Sequence, residues 1–268
     1  MGKRSWSAFD VIAAAVTLMI VTFLTIALLA IILGGMPYMK EALASREVRF
    51  SIRLSLFTAT VSTAVCLLLA IPSGYTLARV KLPLKHLMQV VIELPLSLPY
   101  LILGLCLLIV FSSPAGKWLR EMGFPVVFHR NGIILAQLIV NLPFAIRLVR
   151  TEIEKFDPRL EFVAGTLGAT KWKRFCTVIL PQCRISLVMT AILVWSRGMG
   201  EFGATLMLVG VTRMKTETLP ASIYLNISTG DNGMAMASAI LMLGISAVTL
   251  AVSSLCSRGL RRKGRDTE

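Results

Sequence analysis

The chain has 268 residues, of which 56% are apolar and only 16% are charged, and its mean hydropathy is +0.76. This composition is too apolar for an ordinary soluble domain and indicates a membrane protein. The formal net charge of +14 comes from Lys and Arg residues in the connections between apolar stretches. They form no continuous basic face, so we expect no nucleic-acid partner.

Six apolar stretches follow one another along the chain, each near the roughly 20 residues that cross a bilayer as a helix. They are predicted at residues 9–33, 54–78, 87–111, 132–149, 185–209 and 234–256. The first is longer than the apolar core of a signal peptide, which is about 7 to 15 residues. The predicted fold is therefore all-α, a single domain over residues 1–268 with six transmembrane helices in the lipid bilayer.

Three of these spans contain residues that interrupt helices. They are Pro72 and Gly74 in the second span, Pro95 and Pro99 in the third, and Asn141 and Pro143 in the fourth. Because proline lacks an amide donor and clashes with the preceding turn, we expect these helices to bend or to start late.

The basic residues predict the orientation. An even number of spans places both termini on one side, where the connections carry about twice as many Lys and Arg residues as those on the opposite side. By the positive-inside rule, both termini are predicted to be cytoplasmic, together with the long connection at residues 150–184.

The cysteines predict neither a disulfide framework nor a metal site. Cys66, Cys106 and Cys256 lie in apolar stretches, and Cys176 and Cys183 are seven residues apart with no histidine nearby. This is not a zinc spacing, so we expect free thiols.

The long connection carries a distinctive segment. Residues 161–181 read EFVAGTLGATKWKRFCTVILP. The small residues Ala164, Gly165, Gly168 and Ala169 recur at helical spacings and leave one face without bulk. The pattern predicts a short helix, a turn at Gly168, and a second, basic helix that ends at Pro181.

This segment resembles the "EAA" loop of ABC importer permeases, in which Glu-Ala-Ala, three residues and Gly precede nine residues and an aliphatic residue, any residue, Leu and Pro. The positions that match are Ala164, Gly168, Val178, Leu180 and Pro181. The sequence departs from the pattern at the start, where Phe162 replaces Glu, Val163 replaces the first Ala, and Glu161 stands one residue early.

Two further stretches resemble the molybdate, tungstate and sulfate branch of these permeases. The third span contains ELPLSLP at residues 93–99 and LGL at residues 103–105. The fifth span contains SRGMGEFGATLM at residues 196–207, followed by TETLPASIY at residues 216–224, and both are similar to molybdate and tungstate permeases.

The resemblance implies a type I ABC importer permease that imports a tetrahedral oxyanion, with molybdate or tungstate favoured. It implies a homodimer of permease subunits, a cytoplasmic ATPase dimer and an external binding protein in the inner membrane. The segment that would couple to the ATPase comprises Glu161, Phe162, Val163, Ala164, Gly165, Gly168, Ala169, Leu180 and Pro181. The chain contains no Gly-x-x-x-x-Gly-Lys-[Ser/Thr] motif, so ATP and Mg²⁺ are expected on the partner ATPase and no cofactor on this chain.

Three charged residues inside the predicted spans are candidates for a pathway or gate. Arg197 and Glu201 are four residues apart in the fifth span, so they are expected to share a helix face and to pair. This pair either lies along the pathway or fixes helix packing. Glu93 lies beside the Leu-Pro break of the third span, where it either caps the broken helix or serves transport.

Other functions stay open at this stage. A permease for sulfate, an amino acid or another small solute would share the same pattern. An intramembrane enzyme is less well supported, since no acid, base and nucleophile converge in the sequence.

Overall fold

A computed structural model describes residues 7–265, and for residues 256–265 it describes the backbone alone. Over these residues the chain is helical. The α-helices, in chain order, are α1 (Ala8–Gly35), α2 (Met39–Ala44), α3 (Arg46–Arg79), α4 (Lys85–Glu93), α5 (Tyr100–Ser112), α6 (Pro114–Glu121), α7 (Arg130–Glu154), α8 (Pro158–Thr166), α9 (Lys171–Arg174), α10 (Leu180–Met199), α11 (Gly203–Val209), α12 (Leu219–Ser228) and α13 (Asn232–Arg265).

Five helical segments are long and apolar enough to cross a membrane. They are Ala8–Ala44, Arg46–Arg79, Arg130–Glu154, Lys171–Met199 and Asn232–Leu255. A sixth crossing is formed if α4 and α5 are counted as one broken span, which bends by 111°. The predicted all-helical membrane fold is confirmed. Lys3 and Arg4, which contributed to the predicted orientation, lie outside the described residues.

The third span, predicted at residues 87–111, is broken, as expected from Pro95 and Pro99. A 3-10 turn at Leu94–Ser97 follows α4, and Pro99 precedes the first residue of α5. Pro95 and Pro99 lack the amide donors that would continue a helix through this stretch, which explains the bend. Pro72 and Pro143, in contrast, lie inside the unbroken helices α3 and α7.

The fifth span differs from the predicted helix at residues 185–209. Its helix starts earlier, at Lys171, and runs through a π-helical turn at Phe175–Ile179 to Met199. The predicted stop at Pro181 is therefore wrong. Pro181 has no amide to donate to the preceding turn, and the helix adapts through an i→i−5 bond from Leu180 N to Phe175 O. After Met199 the helix breaks, and α11 starts at Gly203.

Helices α3 and α7 form the centre of the bundle, and small residues bring them together. A Cβ added at Gly74 on α3 would lie 2.7 Å from Val149 Cγ1 and 3.0 Å from Arg150 N on α7. Nearly half of the apolar window of α3 and 56% of that of α7 are buried, whereas that of α1 has no buried residue. Helix α1 therefore presents its apolar side chains to lipid and joins the bundle at its end, where Gly35 contacts α13.

Candidate functional site

The predicted coupling segment forms a short helix with defined ends. Asp157 precedes α8 and accepts a hydrogen bond from Arg159 N, and Pro158 occupies the first helical turn. At the other end, Ala169 N donates to Ala164 O and Gly168 N donates to Gly165 O. These two bonds form a Schellman motif, which requires a left-handed residue, and Gly168 has φ +82°. The predicted turn at Gly168 is confirmed.

The outer face of α8 is apolar. Phe162 is 72% exposed, Leu167 is 83% exposed, and Val163 is also exposed. Trp172, at the start of α9, is also 74% exposed. Phe162, Val163 and Leu167 lie outside the membrane-spanning helices, and large apolar side chains with this exposure indicate a surface that a partner protein or the bilayer covers.

Glu161 points the other way, toward the bundle. Its Oε1 atom lies 2.8 Å from Nε of Arg79, at the end of α3, and its Oε2 atom accepts a hydrogen bond from the Tyr75 hydroxyl. Phe162 thus takes the outward position on α8, while the acid one residue earlier faces α3. In the sequence, Glu161 stands out because it lies one residue before the position at which the loop pattern has Glu. Its ion-pair partner, Arg79, was not predicted from the sequence.

The small-residue face of α8 receives a side chain from its own loop. A Cβ added at Gly165 would lie 2.9 Å from Nη1 of Arg174, and Arg174 also donates to the carbonyl oxygen of Glu161. The close approach predicted for this face is therefore made by an arginine of α9.

A second cluster lies at the break of the fifth span, around Arg197. Its Nε atom donates to Oδ1 of Asn141 at 3.2 Å, and its Nη2 atom donates to the Tyr100 hydroxyl oxygen at 2.6 Å. The guanidinium carbon lies 4.6 Å from the centre of the Phe144 ring, a cation–π distance. Helices α5, α7 and α10 therefore meet at this side chain.

The predicted pair between Arg197 and Glu201 is not formed. Helix α10 ends at Met199, so Glu201 no longer follows Arg197 at helical spacing. The Glu201 carboxylate instead accepts a hydrogen bond from Ala204 N at 2.8 Å, where α11 begins, and it is almost fully buried. Among the described residues, Arg197 makes no ion pair.

Arg197 borders a cavity of about 270 Å³. Its lining residues are Tyr100, Val140, Asn141, Arg197, Gly200, Glu201, Phe202 and Gly203. Broken helices that border a cavity are the usual construction of substrate sites in transporters. Sequence reasoning placed Arg197 and Glu201 here but used Asn141 only as a helix breaker.

A buried amide fixes the backbone beside Arg197. Gln137 on α7 donates to the carbonyl oxygen of Gly198 at 2.9 Å and to Thr58 Oγ1 at 3.3 Å, and it accepts from Ser62 Oγ at 3.1 Å. Thr58 and Ser62 belong to α3, so this network connects α3, α7 and α10. Gln137 and Asn141 are four residues apart in an apolar helix, and this spacing was the sequence signal that reveals a polar face.

Glu93, the third candidate for a pathway residue, lies apart from the cluster around Arg197. It makes no capping hydrogen bond at the 3-10 turn, so the predicted capping role is wrong. Its Oε1 atom lies 3.4 Å from Nη1 of Arg150 on α7, which also approaches Glu154 at 3.6 Å. Glu93 does not line the cavity at Arg197.

The chain shares its fold with chains of two solved ABC transporters. The chain has the fold of a bacterial alginate ABC transporter chain, with a TM-score of 0.77 and 16% identity over 96% of this chain and 98% of the other. A chain of the MetNI methionine ABC transporter matches with a TM-score of 0.65 and 16% identity over 80% of this chain and 95% of the other.

The sequence comparisons give the family. The model of the binding-protein-dependent transport system inner membrane component matches residues 67–262, and the chain belongs to this family. It is therefore a multi-pass inner-membrane transport subunit of the ABC importer type and not an enzyme, as predicted.

Some curated relatives are named for sulfate, and others for molybdate, tungstate or molybdenum. The sulfate transport system permease protein CysT of Escherichia coli is 31% identical over 83% of this chain and 81% of its own length. The molybdate/tungstate permease protein WtpB of Thermococcus kodakarensis is 35% identical over 63% and 61%. The molybdenum permease protein ModB of Mycobacterium tuberculosis is 34% identical over 75% and 77%. The resemblance to the molybdate, tungstate and sulfate permeases is confirmed.

Proposed function

We propose that this chain is the permease subunit through which an ATP-driven importer moves a tetrahedral oxyanion, with molybdate or tungstate as the substrate. The observation that carries the proposal is Arg197, a cationic side chain at a broken transmembrane helix. Its hydrogen bonds and its cation–π contact are all with neutral side chains.

The charge of Arg197 favours an anionic solute. A charged side chain inside a span costs at least about 2.5 to 3.5 kcal/mol on insertion scales, so its presence here needs a compensating role. Asn141 and Tyr100 each accept from one nitrogen of Arg197, and the other N–H groups have no acceptor among the described residues. A guanidinium presents its donors in a planar fork that suits the oxygen atoms of an oxyanion.

The relatives support the class of substrate. Sulfate, molybdate and tungstate are tetrahedral dianions, and the three relatives are named for one or more of these anions or for molybdenum. We favour molybdate or tungstate because of the segments at residues 196–207 and 216–224. Sulfate is the second candidate, since CysT matches a larger share of this chain than WtpB or ModB does.

The partners follow from the family and from the surface of α8. We infer that two copies of this chain form the translocation unit and that a binding protein delivers the anion. Helix α8 docks on a cytoplasmic ATPase dimer, which binds ATP and Mg²⁺. The exposed Phe162, Val163 and Leu167 support this docking, because an apolar face on a short helix outside the spans needs a partner. The excess of Lys and Arg supports cytoplasmic termini.

The test uses the complete complex of permease, ATPase and binding protein in proteoliposomes with ATP on the ATPase side. Uptake is measured with labelled molybdate, tungstate and sulfate, each presented on the binding protein. We expect uptake of molybdate and tungstate to exceed that of sulfate. Preference for sulfate would replace the favoured anion by the second candidate, and uptake of a neutral solute without any of the three anions would refute the proposal.

A further inference from the structure

Arg79 joins three separate elements at the end of α3. Its Nη2 atom donates to the carbonyl oxygens of Ile153 at 2.9 Å and Phe156 at 2.6 Å, where α7 ends. Its Nε atom lies 2.8 Å from Oε1 of Glu161 on α8. One side chain of α3 thus connects both the end of α7 and the helix proposed to dock on the ATPase.

This ion pair is shielded from water. The side chains of Arg79 and Glu161 are each only 13% exposed, so the attraction between their charges is screened less than in a surface salt bridge. Tyr75, one turn before Arg79, donates to the other carboxylate oxygen, and its ring packs edge-on against Phe175. Helix α8 is therefore fastened to α3 by two side chains of α3.

Helix α3 leads from this contact to the break beside Arg197. It is continuous from Arg46 to Arg79, and Ser62 lies 17 residues before Arg79, which corresponds to about 26 Å along the helix. There Ser62 and Thr58 contact Gln137, which holds the carbonyl oxygen of Gly198. Between these two contacts, Gly74 brings α3 close to Val149 and Arg150 of α7, so α3 and α7 are packed together at this point as well.

We propose that Arg79 and Glu161 are positioning residues that transmit the movement of α8 to α3, and through the Gln137 network to the broken span at Arg197. This inference rests on the proposed function, since it takes α8 as the element that moves with the ATPase. Arg79 contacts neither the solute nor ATP. Its role is to make α8, α3 and the end of α7 move together.

The experiment compares Glu161→Gln, Arg79→Gln and the double variant in the full complex. The Gln side chain of Glu161→Gln keeps the shape of Glu161 and removes its charge. The matched control is Glu154→Gln, because the side chain of Glu154 is 44% exposed and its ion-pair partner, Arg150, lies four residues earlier on the same helix. For each variant we measure copurification of the ATPase, basal ATP hydrolysis, and the stimulation of hydrolysis by loaded binding protein.

We expect Glu161→Gln to lose a larger share of the stimulation than of the bound ATPase, because the Glu161 carboxylate faces Arg79 on α3. Its stimulation by loaded binding protein falls about tenfold, within the usual range of coupling between two sites. Arg79→Gln also loses the bonds to the carbonyl oxygens of Ile153 and Phe156, so its loss is at least as large. The double variant is no worse than Arg79→Gln, because both lack the same ion pair. Glu154→Gln behaves as the wild type.

Two results would overturn this inference. Full stimulation in Glu161→Gln would show that the ion pair does not transmit movement. Loss of stimulation in strict proportion to loss of the bound ATPase would show that the pair only builds the docking surface. Failure of the proposed function looks different, because the wild-type complex would then show no stimulation by binding protein loaded with molybdate, tungstate or sulfate.

Discussion

Gly104 on α5 allows a backbone contact that sets the position of Tyr100 at the proposed pathway. A Cβ added at Gly104 would lie 2.6 Å from the carbonyl oxygen of Ala204 and 2.7 Å from its Cα atom. Both are backbone atoms of α11, so no side chain can rotate away. Ordinary contacts of a Cβ begin at 3.4 Å, so Gly104→Ala must push α5 and α11 apart by about 0.8 Å, and overpacking of this kind costs roughly 1 to 3 kcal/mol.

The shift of α5 also affects the hydrogen bond between Arg197 and Tyr100. Tyr100 lies one helical turn before Gly104, on the same face of α5, and its hydroxyl oxygen accepts the 2.6 Å bond from Arg197. Lengthening that bond toward about 3.4 Å takes it beyond the usual range of hydrogen-bond distances and weakens it. Bonds to charged groups contribute about 1.5 to 3 kcal/mol, so we expect uptake to fall about tenfold or more.

The assay pairs thermal unfolding of the purified complex with uptake of labelled oxyanion in proteoliposomes. Gly104→Ala should lower the unfolding temperature by several degrees and reduce uptake. The control is Gly244→Ala, because a Cβ added there meets no atom within 4 Å and alanine favours a helix over glycine by up to about 1 kcal/mol. Wild-type stability and uptake in Gly104→Ala would refute this account of the packing.

Three further variants test other parts of the site. Gly168→Ala forces a Cβ into a residue with φ +82°, which costs about 1 kcal/mol and should weaken stimulation of the ATPase by loaded binding protein without preventing insertion. Gln137→Leu removes the bonds of Gln137 to Gly198, Thr58 and Ser62, each worth about 0.5 to 1.5 kcal/mol, and should lower the unfolding temperature. Phe162→Ser removes an exposed apolar group and should reduce copurification of the ATPase while stability is unchanged, whereas unchanged copurification would exclude Phe162 from the docking surface.

Hydropathy and charge were sufficient to predict that this is a membrane protein and roughly where its spans lie, because a helix needs about 20 apolar residues to cross a bilayer. The turn at Gly168 was also predictable, since a left-handed residue at a helix end favours glycine. The breaks were harder to predict. Pro95 and Pro99 interrupt a helix, but Pro143 is accommodated within α7, and only the surrounding packing separates these outcomes.

Pairing of charged residues could not be predicted from spacing. Arg197 and Glu201 stand four residues apart, yet the end of α10 at Met199 separates them, and Glu201 bonds the first turn of α11 instead. Arg79 and Glu161 are 82 positions apart in the chain, and their contact depends on how α3, α7 and α8 meet. Such pairs depend on the tertiary structure, which cannot be predicted from the spacing of nearby residues.

The central claim is that the oxyanion passes Arg197, and uptake per ATP hydrolysed by Arg197 variants tests it most directly. The complex with Arg197→Gln is compared with Arg197→Lys, which keeps the charge but loses the fork, and with Arg184→Gln, an exposed arginine on the same helix. We predict intact assembly in all three, uptake lowered about tenfold or more in Arg197→Gln, an intermediate value in Arg197→Lys, and wild-type uptake in Arg184→Gln. Wild-type uptake in Arg197→Gln, or loss of assembly in that variant, would contradict a role for Arg197 in the pathway.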